Sequence, residues 1–387
     1  MPGGAAAPRS ATVIGGGIGG LAAAVALRQA GWATQVYERA PALEAAGAGI
    51  TLFANAIKAL RQLGLADAVA AAGERDLAPE IRRPDGRVLA AAPGAALEQR
   101  FGAPSIALHR ADLQRILLEA QAAPPVLGAE LTGMTEDAGG ITATFADGSA
   151  ARSAVLIAAD GANSTARRQL FPGWEARPAG YSAWRGVVML PSADRPRVAT
   201  ETWGRGVRFG AVPIGGGRTY WFATANSAGP PAEGEAAAGF LRGAFGAWHA
   251  PIPALLAATD PAAIIATPIV DLPPRPRWAA GRAAVLGDAA HAMTPNLGQG
   301  AGQALEDAVV LGACLGAATS AEPAAALAAY AQRRHARAGW IATRSRRLGR
   351  LGQLRGAATC ALRDAVVRAT PEAATLRALD RIAGFEP

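Results

Sequence analysis

Lysine and cysteine are nearly missing from this chain. Lys58 is its single lysine, so arginine carries almost all of the positive charge, and Cys314 and Cys360 are its two cysteines. These cysteines lack the spacing of a metal site, and they predict free thiols in a reducing, cytoplasmic compartment. We therefore expect no bound metal.

Long apolar segments are missing too. The longest apolar run, Ala308–Thr319, is too short to cross a bilayer, and Met1–Ser10 lacks the apolar run of a signal peptide. The formal net charge of +8 could attract acidic substrates or nucleic acid, but no recognised nucleic-acid-binding module accompanies it. A chain of 387 residues that is 51% hydrophobic predicts a globular protein of one large or two ordinary domains, with no transmembrane segment and no nucleic-acid partner.

The first segment with a clear pattern is Ala11–Glu38. Its β-branched start, Thr12–Ile14, predicts a buried parallel strand, and Gly15, Gly17 and Gly20 follow with the spacing G-x-G-x-x-G. The first glycine permits a tight turn, the second lets backbone N–H groups approach a pyrophosphate, and the third lets the next helix pack closely on the sheet. This order predicts a dinucleotide site, and a glycine-rich turn of an ordinary α/β fold is the alternative.

The residues after these glycines extend the same prediction. A helix is expected at Ile18–Ala30, ended by Gly31, and a second strand is expected at Ala33–Tyr37. Glu38 then lies 18 residues beyond Gly20, close to where a carboxylate accepts hydrogen bonds from a ribose. The N-terminus of the helix offers free N–H donors to the phosphates.

Two further segments place an aspartate at the end of a predicted strand. In Gly287–Ala308, Asp288 follows a short strand, a loop contains Pro295, and a helix begins near Leu297–Gly300. Asp288 could bind a polyol and the helix N-terminus an anionic ring oxygen, or the aspartate could only cap a helix. In Asp160–Arg167 the sequence Asp-Gly-x-x-Ser follows another strand, and a simple capped turn is the alternative there.

Antiparallel strands are predicted in the middle of the chain. Residues 82–88 and 141–159 each indicate a hairpin with Asp-Gly at the turn, and the second is expected to pair Ile141–Phe145 with Ala154–Ala159. Alternating runs then predict an antiparallel sheet, at residues 181–190, 198–203, 207–213 and 218–224.

The last part of the chain is predicted to be mostly helical. Its stretch Arg333–Arg368 is rich in arginine, and we expect a solvated helix face there, with contact to an anionic membrane as the less favoured alternative. His109 and His291 could act as general bases, but hydrogen bonding to the backbone beside a cofactor is favoured.

Together these segments resemble one family. The glycine turn with Glu38, the segment Asp160–Arg167 and the segment Gly287–Ala308 resemble, in this order and spacing, the class A flavin-dependent aromatic hydroxylases, over about residues 11–345. One departure is Ala292, because the family usually has proline after the histidine that matches His291. The resemblance implies FAD contacts at Gly15, Gly17, Ile18, Gly20, Glu38, Arg39, Gly49, Ile50, Arg110, Asp160, Gly161, Gly287, Asp288 and Gly300, and at a loop beside the isoalloxazine ring formed by Pro295, Leu297, Gly298 and Gln299.

The same resemblance implies catalytic and substrate-binding residues. Pro295, Leu297 and Gly298 are the expected catalytic residues, because the helix end beside them would stabilise negative charge on the reduced flavin. The expected substrate residues are Arg185, Arg208 and Tyr220. In urate hydroxylases the residues that match Arg208 and Tyr220 face the substrate, and a solvent-facing strand residue is the alternative for each.

The expected fold class is α/β, with a Rossmann-type FAD-binding domain, an inserted antiparallel substrate sheet and a helical C-terminus. The parts are expected at residues 11–75, 101–178 and 273–335 for FAD binding, 76–100 for a substrate-side hairpin, 179–272 for the substrate sheet and 336–387 for the C-terminal helices.

The activity that the resemblance implies is an FAD-dependent monooxygenation. NADPH or NADH reduces FAD, and O2 then forms a flavin C4a-hydroperoxide that hydroxylates a small aromatic or other electron-rich ring. The alternatives are an epoxidase or an antibiotic- or polyketide-modifying oxygenase of the same family, a flavin oxidase or dehydrogenase without oxygen insertion, and a flavin-binding protein without turnover.

Overall fold

The structure is a computed structural model that describes residues 9–43, 48–75, 79–92, 94–317 and 323–386. Its strands, in chain order, are β1 (Ser10–Ile14), β2 (Ala33–Glu38), β3 (Gly49–Leu52), β4 (Glu74–Arg75), β5 (Pro79–Arg82), β6 (Val88–Ala91), β7 (Ile106–His109), β8 (Val126–Leu127), β9 (Leu131–Asp137), β10 (Gly140–Phe145), β11 (Ala150–Ser153), β12 (Val155–Ala158), β13 (Arg177–Met189), β14 (Ala199–Trp203), β15 (Val207–Ile214), β16 (Arg218–Asn226), β17 (Ile265–Asp271), β18 (Ala279–Ala280) and β19 (Ala283–Val285).

Its helices, in chain order, are α1 (Ile18–Gln29), α2 (Ala54–Gln62), α3 (Ala66–Ala72), α4 (Gly94–Phe101), α5 (Arg110–Glu119), α6 (Thr165–Leu170), α7 (Gly234–Phe245), α8 (Ile252–Ala257), α9 (Asp288–His291), α10 (Gly300–Ala317), α11 (Pro323–Gly352), α12 (Ala357–Ala369) and α13 (Glu372–Ala383). Short 3₁₀ helices are formed by Ser192–Asp194, Pro261–Ala263 and Pro295–Leu297.

A mostly parallel sheet carries the glycine turn. Its strand order is β18-β19-β12-β1-β2-β8, and every pair is parallel except β18 with β19. The central strand β1 is apolar and buried, as a strand covered on both faces must be. The alanine-rich helix α1 follows β1 and packs against α10. Because the turn between β1 and α1 follows the last residue of β1, it lies at the carboxyl edge of the sheet.

The strand pairing after β10 differs from the prediction. β10 pairs across the Asp147-Gly148 turn with β11, and the predicted pairing of Ile141–Phe145 with Ala154–Ala159 was wrong. β12 instead pairs in parallel with β1 and β19. All four residues of β12 are buried, and a strand that is apolar on both faces belongs in the interior of a parallel sheet rather than in an exposed hairpin.

The second large sheet has the strand order β17-β13-β16-β15-β14-β5-β6, and all of its pairs are antiparallel except β14 with β5. One face packs against α7 and α8, where Phe209, Trp221 and Phe245 are buried. The alternate residues point to the opposite face, and on that face Tyr220 contacts Gly49 of β3. The sheet therefore presents one of its faces to the part of the chain that carries the glycine turn.

A small sheet of order β3-β7-β4 joins the two larger ones. Ala107 of β7 packs against Val212 and Ile214 at the end of β15. Close by, Arg218 forms an ion pair with Asp112, with 2.6 Å between Nη2 and Oδ2. These contacts hold the antiparallel sheet against α5 and β7.

The observed elements confirm the α/β fold with an inserted antiparallel sheet and a helical C-terminus. The strands β5 and β6 extend the inserted sheet, as a substrate-side hairpin would. The individual domain boundaries stay predictions, and residues 76–78 and 93 of the expected 76–100 hairpin lie outside the described residues. Among the helices that the structure describes, none combines the length and the apolar character needed to cross a membrane.

Candidate active site

The three glycine positions of the first turn differ in whether the surrounding protein leaves room for a side chain. Gly15 has a φ of +108°, and a Cβ atom there would lie 2.3 Å from the Ala159 carbonyl oxygen. A Cβ atom at Gly20 would lie 1.9 Å from the Gly15 carbonyl oxygen. A Cβ atom at Gly17 would meet nothing within 4 Å, so the protein itself does not require glycine at that position. This is the steric pattern expected where a ligand approaches the backbone closely.

Glu38 lies beside this turn, at the end of β2. Its Oε2 accepts a hydrogen bond from Gly16 N at 2.6 Å, and its Oε1 accepts one from Ala40 N at 2.9 Å. From the other side, Gln114 Nε2 donates to the Gly16 carbonyl oxygen at 2.9 Å. The carboxylate is therefore held at the place where the ribose contact is predicted.

Asp160 lies in the loop between β12 and α6. Its Oδ2 accepts hydrogen bonds from Thr165 N at 2.8 Å and Ala166 N at 3.2 Å, so it caps α6 as the simple alternative predicts. Its Oδ1 is buried and has no hydrogen-bond partner within the described ranges. Because an unpaired buried acceptor is costly, a bound hydroxyl or N–H donor fits this position.

Helix α5 brings another predicted residue to the turn. Arg110 is its first residue, and Arg110 N donates to the Ala48 carbonyl oxygen at 2.9 Å. Gly49 pairs with His109 across β3 and β7, so Gly49 and Ile50 lie beside Arg110.

A cavity of about 270 Å³ joins these residues. It lies at the carboxyl edge of the parallel sheet, where ligands of open α/β sheets bind. Of the residues predicted to bind cofactor, the cavity is lined by Gly15, Gly17, Glu38, Arg39, Arg110, Asp160 and Gly161. Arg39 and Arg110 supply donors that fit phosphates, and the carboxylate oxygens of Glu38 and Asp160 supply acceptors that fit ribose hydroxyls, as a dinucleotide requires.

Asp288 lies at the tip of the second predicted segment. Gly287 has a φ of +61°, and Asp288 then begins α9 with an exposed side chain. The Asp288 carboxylate has no hydrogen-bond or ion-pair partner in the part of the chain that the structure describes. An exposed, unpaired carboxylate at a strand end suits the predicted contact with a polyol chain.

A buried ionic network holds this tip in place. Asp307 Oδ2 accepts a hydrogen bond from Gly287 N at 3.0 Å and lies 2.6 Å from His291 Nε2, and Oδ1 accepts one from Arg334 Nε at 2.7 Å. Burial by itself would raise the pKa of Asp307, but the charges of His291 and Arg334 lower it to about 2. His291 is therefore bonded to a carboxylate rather than to the backbone, and it serves the structure of the turn.

The neighbouring Glu306 extends the network toward α11. Its Oε2 accepts from Arg337 Nε at 2.7 Å as well as from Arg334, and its Oε1 accepts from Asn55 Nδ2 at 2.6 Å. Arg334 and Glu306 are fully buried. The prediction of a solvated face for Arg333–Arg368 was therefore wrong at Arg334, because its acidic partners lie on α10 and the pattern of one helix cannot reveal them.

The predicted flavin loop ends at the N-terminus of α10. After the 3₁₀ turn Pro295–Leu297, Gly298 adopts the left-handed region with a φ of +60°, and α10 begins at Gly300. The first N–H groups of a helix have no acceptor within it, so they are available to an anionic ring atom. Gln299 is buried, and its Oε1 accepts from Asn55 Nδ2 at 2.9 Å.

Asn296 connects this loop to its surroundings. Its Nδ2 donates to Tyr181 Oη at 3.0 Å on β13, to Thr294 Oγ1 at 2.8 Å and to the Ser345 carbonyl oxygen at 2.9 Å on α11. Its Oδ1 accepts from Arg208 Nη2 at 2.6 Å on β15. One side chain thus joins the loop to both the antiparallel sheet and the C-terminal helices.

Arg185 and Tyr220 lie on the face of the antiparallel sheet that points toward the cofactor residues. Val187 pairs with Tyr220, and Arg185 is two residues away on the same face. The Tyr220 ring covers Gly49, where a Cβ atom would lie 2.4 Å from Cγ of the ring. Burial raises the pKa of Tyr220, and the charge of Arg185 partly opposes this rise. Arg185 Nη1 also donates to Thr267 Oγ1 at 2.7 Å.

Arg208 is buried, with all three guanidinium nitrogens bonded to protein groups. Nε donates to Gln353 Oε1 at 3.1 Å, Nη1 to Glu201 Oε1 at 2.7 Å and Nη2 to Asn296 Oδ1. Its guanidinium also lies 5.8 Å from the centre of the Tyr181 ring. A direct contact between Arg208 and substrate stays a prediction, and the geometry shows a bridge between the sheet and the flavin loop.

His109 is also explained by local structure. Its Nδ1 accepts from Ala111 N at 3.2 Å and so caps α5. Burial, assisted by the charge of Arg218, lowers the pKa of His109, which keeps that nitrogen free to accept.

Several residues that shape the site were missed by sequence reasoning. Gln114 carries no motif, so no signal marks it. Asn296, Glu306 and Asp307 lie inside the segment Gly287–Ala308, and two adjacent acids in an otherwise apolar helix could have indicated a buried ionic network.

The fold and the cavity define a dinucleotide-binding protein, and comparison with known proteins identifies the family and with it the dinucleotide. The family described as "FAD binding domain" matches residues 9–345. The chain belongs to this family and, within it, to the class A flavin-dependent aromatic hydroxylases.

Three similar proteins show what this membership covers. The chain is 44% identical over 357 residues to aurachin C monooxygenase/isomerase of Stigmatella aurantiaca, which spans 92% of this chain and 93% of that protein. It is 38% identical over 368 residues to 3-amino-4-hydroxybenzoate 2-monooxygenase of Streptomyces cremeus, and this match spans 93% of this chain and 92% of that protein. HpxO of Klebsiella pneumoniae, solved in complex with FAD and uric acid, has a TM-score of 0.89 and 33% identity, covering 96% of this chain and 95% of that one. FAD is therefore the cofactor, and the chain is an FAD-dependent oxidoreductase of the monooxygenase type.

Proposed function

We propose that this enzyme uses NADPH or NADH and O2 to hydroxylate an aromatic or other electron-rich ring. One observation carries the proposal. The antiparallel sheet contacts the predicted flavin-binding segments twice, at Gly49 through Tyr220 and at Asn296 through Arg208. A substrate ring on this face of the sheet would therefore lie beside the reactive edge of the flavin.

The chain's own residues would bind and orient the reactants. In this proposal the bound flavin would supply the difficult chemistry, namely the activation of O2 and the transfer of one of its oxygen atoms to the ring. Glu38 would hold the ribose, Asp160 a hydroxyl or N–H donor of the cofactor, the N-terminus of α1 the phosphates and Asp288 the polyol chain. The N-terminus of α10 at Gly300 would stabilise negative charge on the flavin ring. The face around Tyr220 would exclude water from the substrate.

The substrate would carry an anionic or carbonyl group on its ring. Arg185 supplies a positive charge next to Tyr220, and no acidic side chain pairs with it in the described ranges. The names of similar proteins supply compounds for a first panel: aurachin C, 3-amino-4-hydroxybenzoate and urate.

The test is a coupled assay on the purified FAD-loaded enzyme. Each compound is added with NADPH and then with NADH, and oxidation of the nucleotide, consumption of O2 and the mass of the product are measured. We expect at least one compound to accelerate both oxidations and to give a product one oxygen atom heavier. Arg185→Met should raise the KM for that compound, whereas Arg197→Met, an exposed arginine outside the sheet, should not.

The assay also separates the alternatives. Nucleotide oxidation that continues without O2, or a product without added oxygen, would contradict the proposal and favour a dehydrogenase or oxidase. An oxygen atom added across a carbon–carbon double bond would favour an epoxidase. A flavin that no nucleotide reduces in any condition would favour a binding protein without turnover.

Arg208 has its own test within this proposal. If Arg208 binds the ring, Arg208→Ala should raise the KM, with product still formed in proportion to nucleotide oxidised. If it acts only by holding Asn296, the KM should stay the same and less product should form for each nucleotide oxidised. The second result would exclude direct contact with the substrate.

A further inference from the structure

A second cavity lies away from the glycine turn, between the β14–β15 hairpin and α12. Its volume is about 350 Å³, and it shares no residue with the cavity at the glycine turn. The residues that give it its chemistry are Arg83, Trp203, Trp248, Arg205, Arg363 and Asp364. None of these residues has a part in the proposed reaction.

Two buried donors at this cavity have no acceptor. Trp203 is only 3% exposed, and its indole Nε1 has no hydrogen-bond partner within the described ranges. Arg83 Nε is also buried without a hydrogen bond, and the nearest acidic oxygen, on Asp85, is 3.7 Å away. An unpaired buried donor costs about 1–3 kcal/mol, so Trp203 Nε1 indicates a ligand with an acceptor atom, and the guanidinium of Arg83, whose side chain is 43% exposed, supplies a second donor beside it.

The cavity also carries net positive charge. Asp364 is already paired with Arg363, whose Nε and Nη2 both donate to its Oδ1, at 2.9 Å and 2.8 Å. This pair leaves the charges of Arg83 and Arg205 on the cavity, and Arg83 makes two long acidic contacts, of 3.7 Å to Asp85 and 3.9 Å to Asp364. The acceptor atoms of a ligand would therefore be anionic.

The walls favour a flat ligand. Trp203 is held rigidly, because Arg363 stacks 5.3 Å from the centre of its ring and also donates to the Gly204 carbonyl oxygen. Trp248 supplies a second indole, fixed edge-on against Phe245 at 4.8 Å. Aromatic walls with a few placed donors are typical of pockets that bind small ring compounds.

We propose that this cavity binds a small aromatic carboxylate at a site separate from the flavin and its substrate. The carboxylate accepts hydrogen bonds from Trp203 Nε1 and Arg83 Nε, and the ring lies between the indoles. The site adjoins the substrate sheet directly, because Trp203 pairs with Arg208 between β14 and β15.

The experiment uses benzoate with the full-length FAD-loaded enzyme. Isothermal titration measures the affinity, and ¹⁵N correlation spectra follow the indole N–H signals, with Trp203 assigned by its loss in Trp203→Phe. We expect benzoate to shift the Trp203 signal and Arg83→Met to weaken that binding at least about tenfold. Arg87→Met removes an exposed arginine from the same hairpin and should change nothing.

Any one of four results would overturn the proposal. The first is that benzoate does not bind at up to about 10 mM, and the second is that Arg83→Met binds it as tightly as the wild type. Benzyl alcohol, a neutral compound of the same shape, could shift the Trp203 signal equally. Binding that Arg185→Met abolishes while Arg83→Met preserves would place benzoate only at the proposed substrate site. Arg83 lies in a partly exposed hairpin, so its substitution leaves the core packing intact.

Discussion

Replacing Gly17 by alanine should separate the folding of the glycine turn from its binding of FAD. Gly17 has a φ of −77° and a ψ of 178°, which alanine adopts freely, and a Cβ atom there meets nothing within 4 Å. The fold of the FAD-free protein should therefore be unchanged, or stabilised by up to about 1 kcal/mol because the unfolded chain loses entropy.

FAD affinity should fall in the same variant. The added methyl group occupies the space through which backbone N–H groups would approach the pyrophosphate. A hydrogen bond to a charged group contributes about 1.5–3 kcal/mol, so losing one predicts binding about 10- to 150-fold weaker. Titration of the FAD-free protein with FAD, followed by flavin fluorescence, measures the affinity, and thermal unfolding measures the stability.

A second glycine provides the matched control. Gly239 lies in α7, does not line the cavity, and also has nothing within 4 Å of an added Cβ atom. Gly239→Ala should leave FAD affinity unchanged. If Gly17→Ala binds FAD as tightly as the wild type, the pyrophosphate does not approach this residue and the reasoning is refuted.

Three further predictions concern the turn, the polyol contact and the buried acid. Gly20→Ala should destabilise the fold by about 1–3 kcal/mol or more in urea unfolding, because its Cβ atom would lie 1.9 Å from a carbonyl oxygen; a stable variant would contradict this. Asp288→Ala should weaken FAD binding without lowering the melting temperature of the FAD-free protein, since the carboxylate is exposed and unpaired; unchanged affinity would exclude the contact. The pKa of Asp307 is lowered to about 2, so its stabilisation is present above the ordinary value of 3.8 and is lost as pH falls through 2. The free energy of unfolding should be measured at pH 5, 3 and 2. Between pH 5 and pH 2 it should fall by about 2 kcal/mol less in Asp307→Asn than in the wild type, and an equal fall in both proteins would refute the charged pair.

The sequence predicts well those parts that depend on neighbouring residues. The helix expected at Ile18–Ala30 is observed at Ile18–Gln29, and Gly31 follows with a φ of +83°. The strand alternation predicts the four central strands of the inserted sheet, and the register then places Arg185 and Tyr220 on one face. Local sterics and the period of side-chain direction decide these features, and both can be read from a short stretch.

Features that depend on distant partners were not predicted. The pairing of β12 with β1 joins residues more than 140 positions apart, and only burial on both faces distinguishes β12 from a hairpin strand. Arg334 looks like one of many surface arginines until α10 places Glu306 and Asp307 against it. The bridge from Arg208 to Asn296 likewise requires the sheet to be docked, and no spacing in the sequence encodes that distance.

The long helix α11 has a consequence for how this enzyme can vary. Its 30 residues span roughly 45 Å, with Arg334 more than a third of the way along at the Asp307 network, Ser345 further on at the flavin loop, and Gln353 just past the C-terminal end at Arg208. Because one continuous helix contacts all three places, a tilt of α11 at one of them would also shift the contacts at the other two. Changes that adapt the enzyme to a new substrate near Arg208 should therefore be accompanied by compensating changes two or more turns away along α11, where no substrate ever reaches.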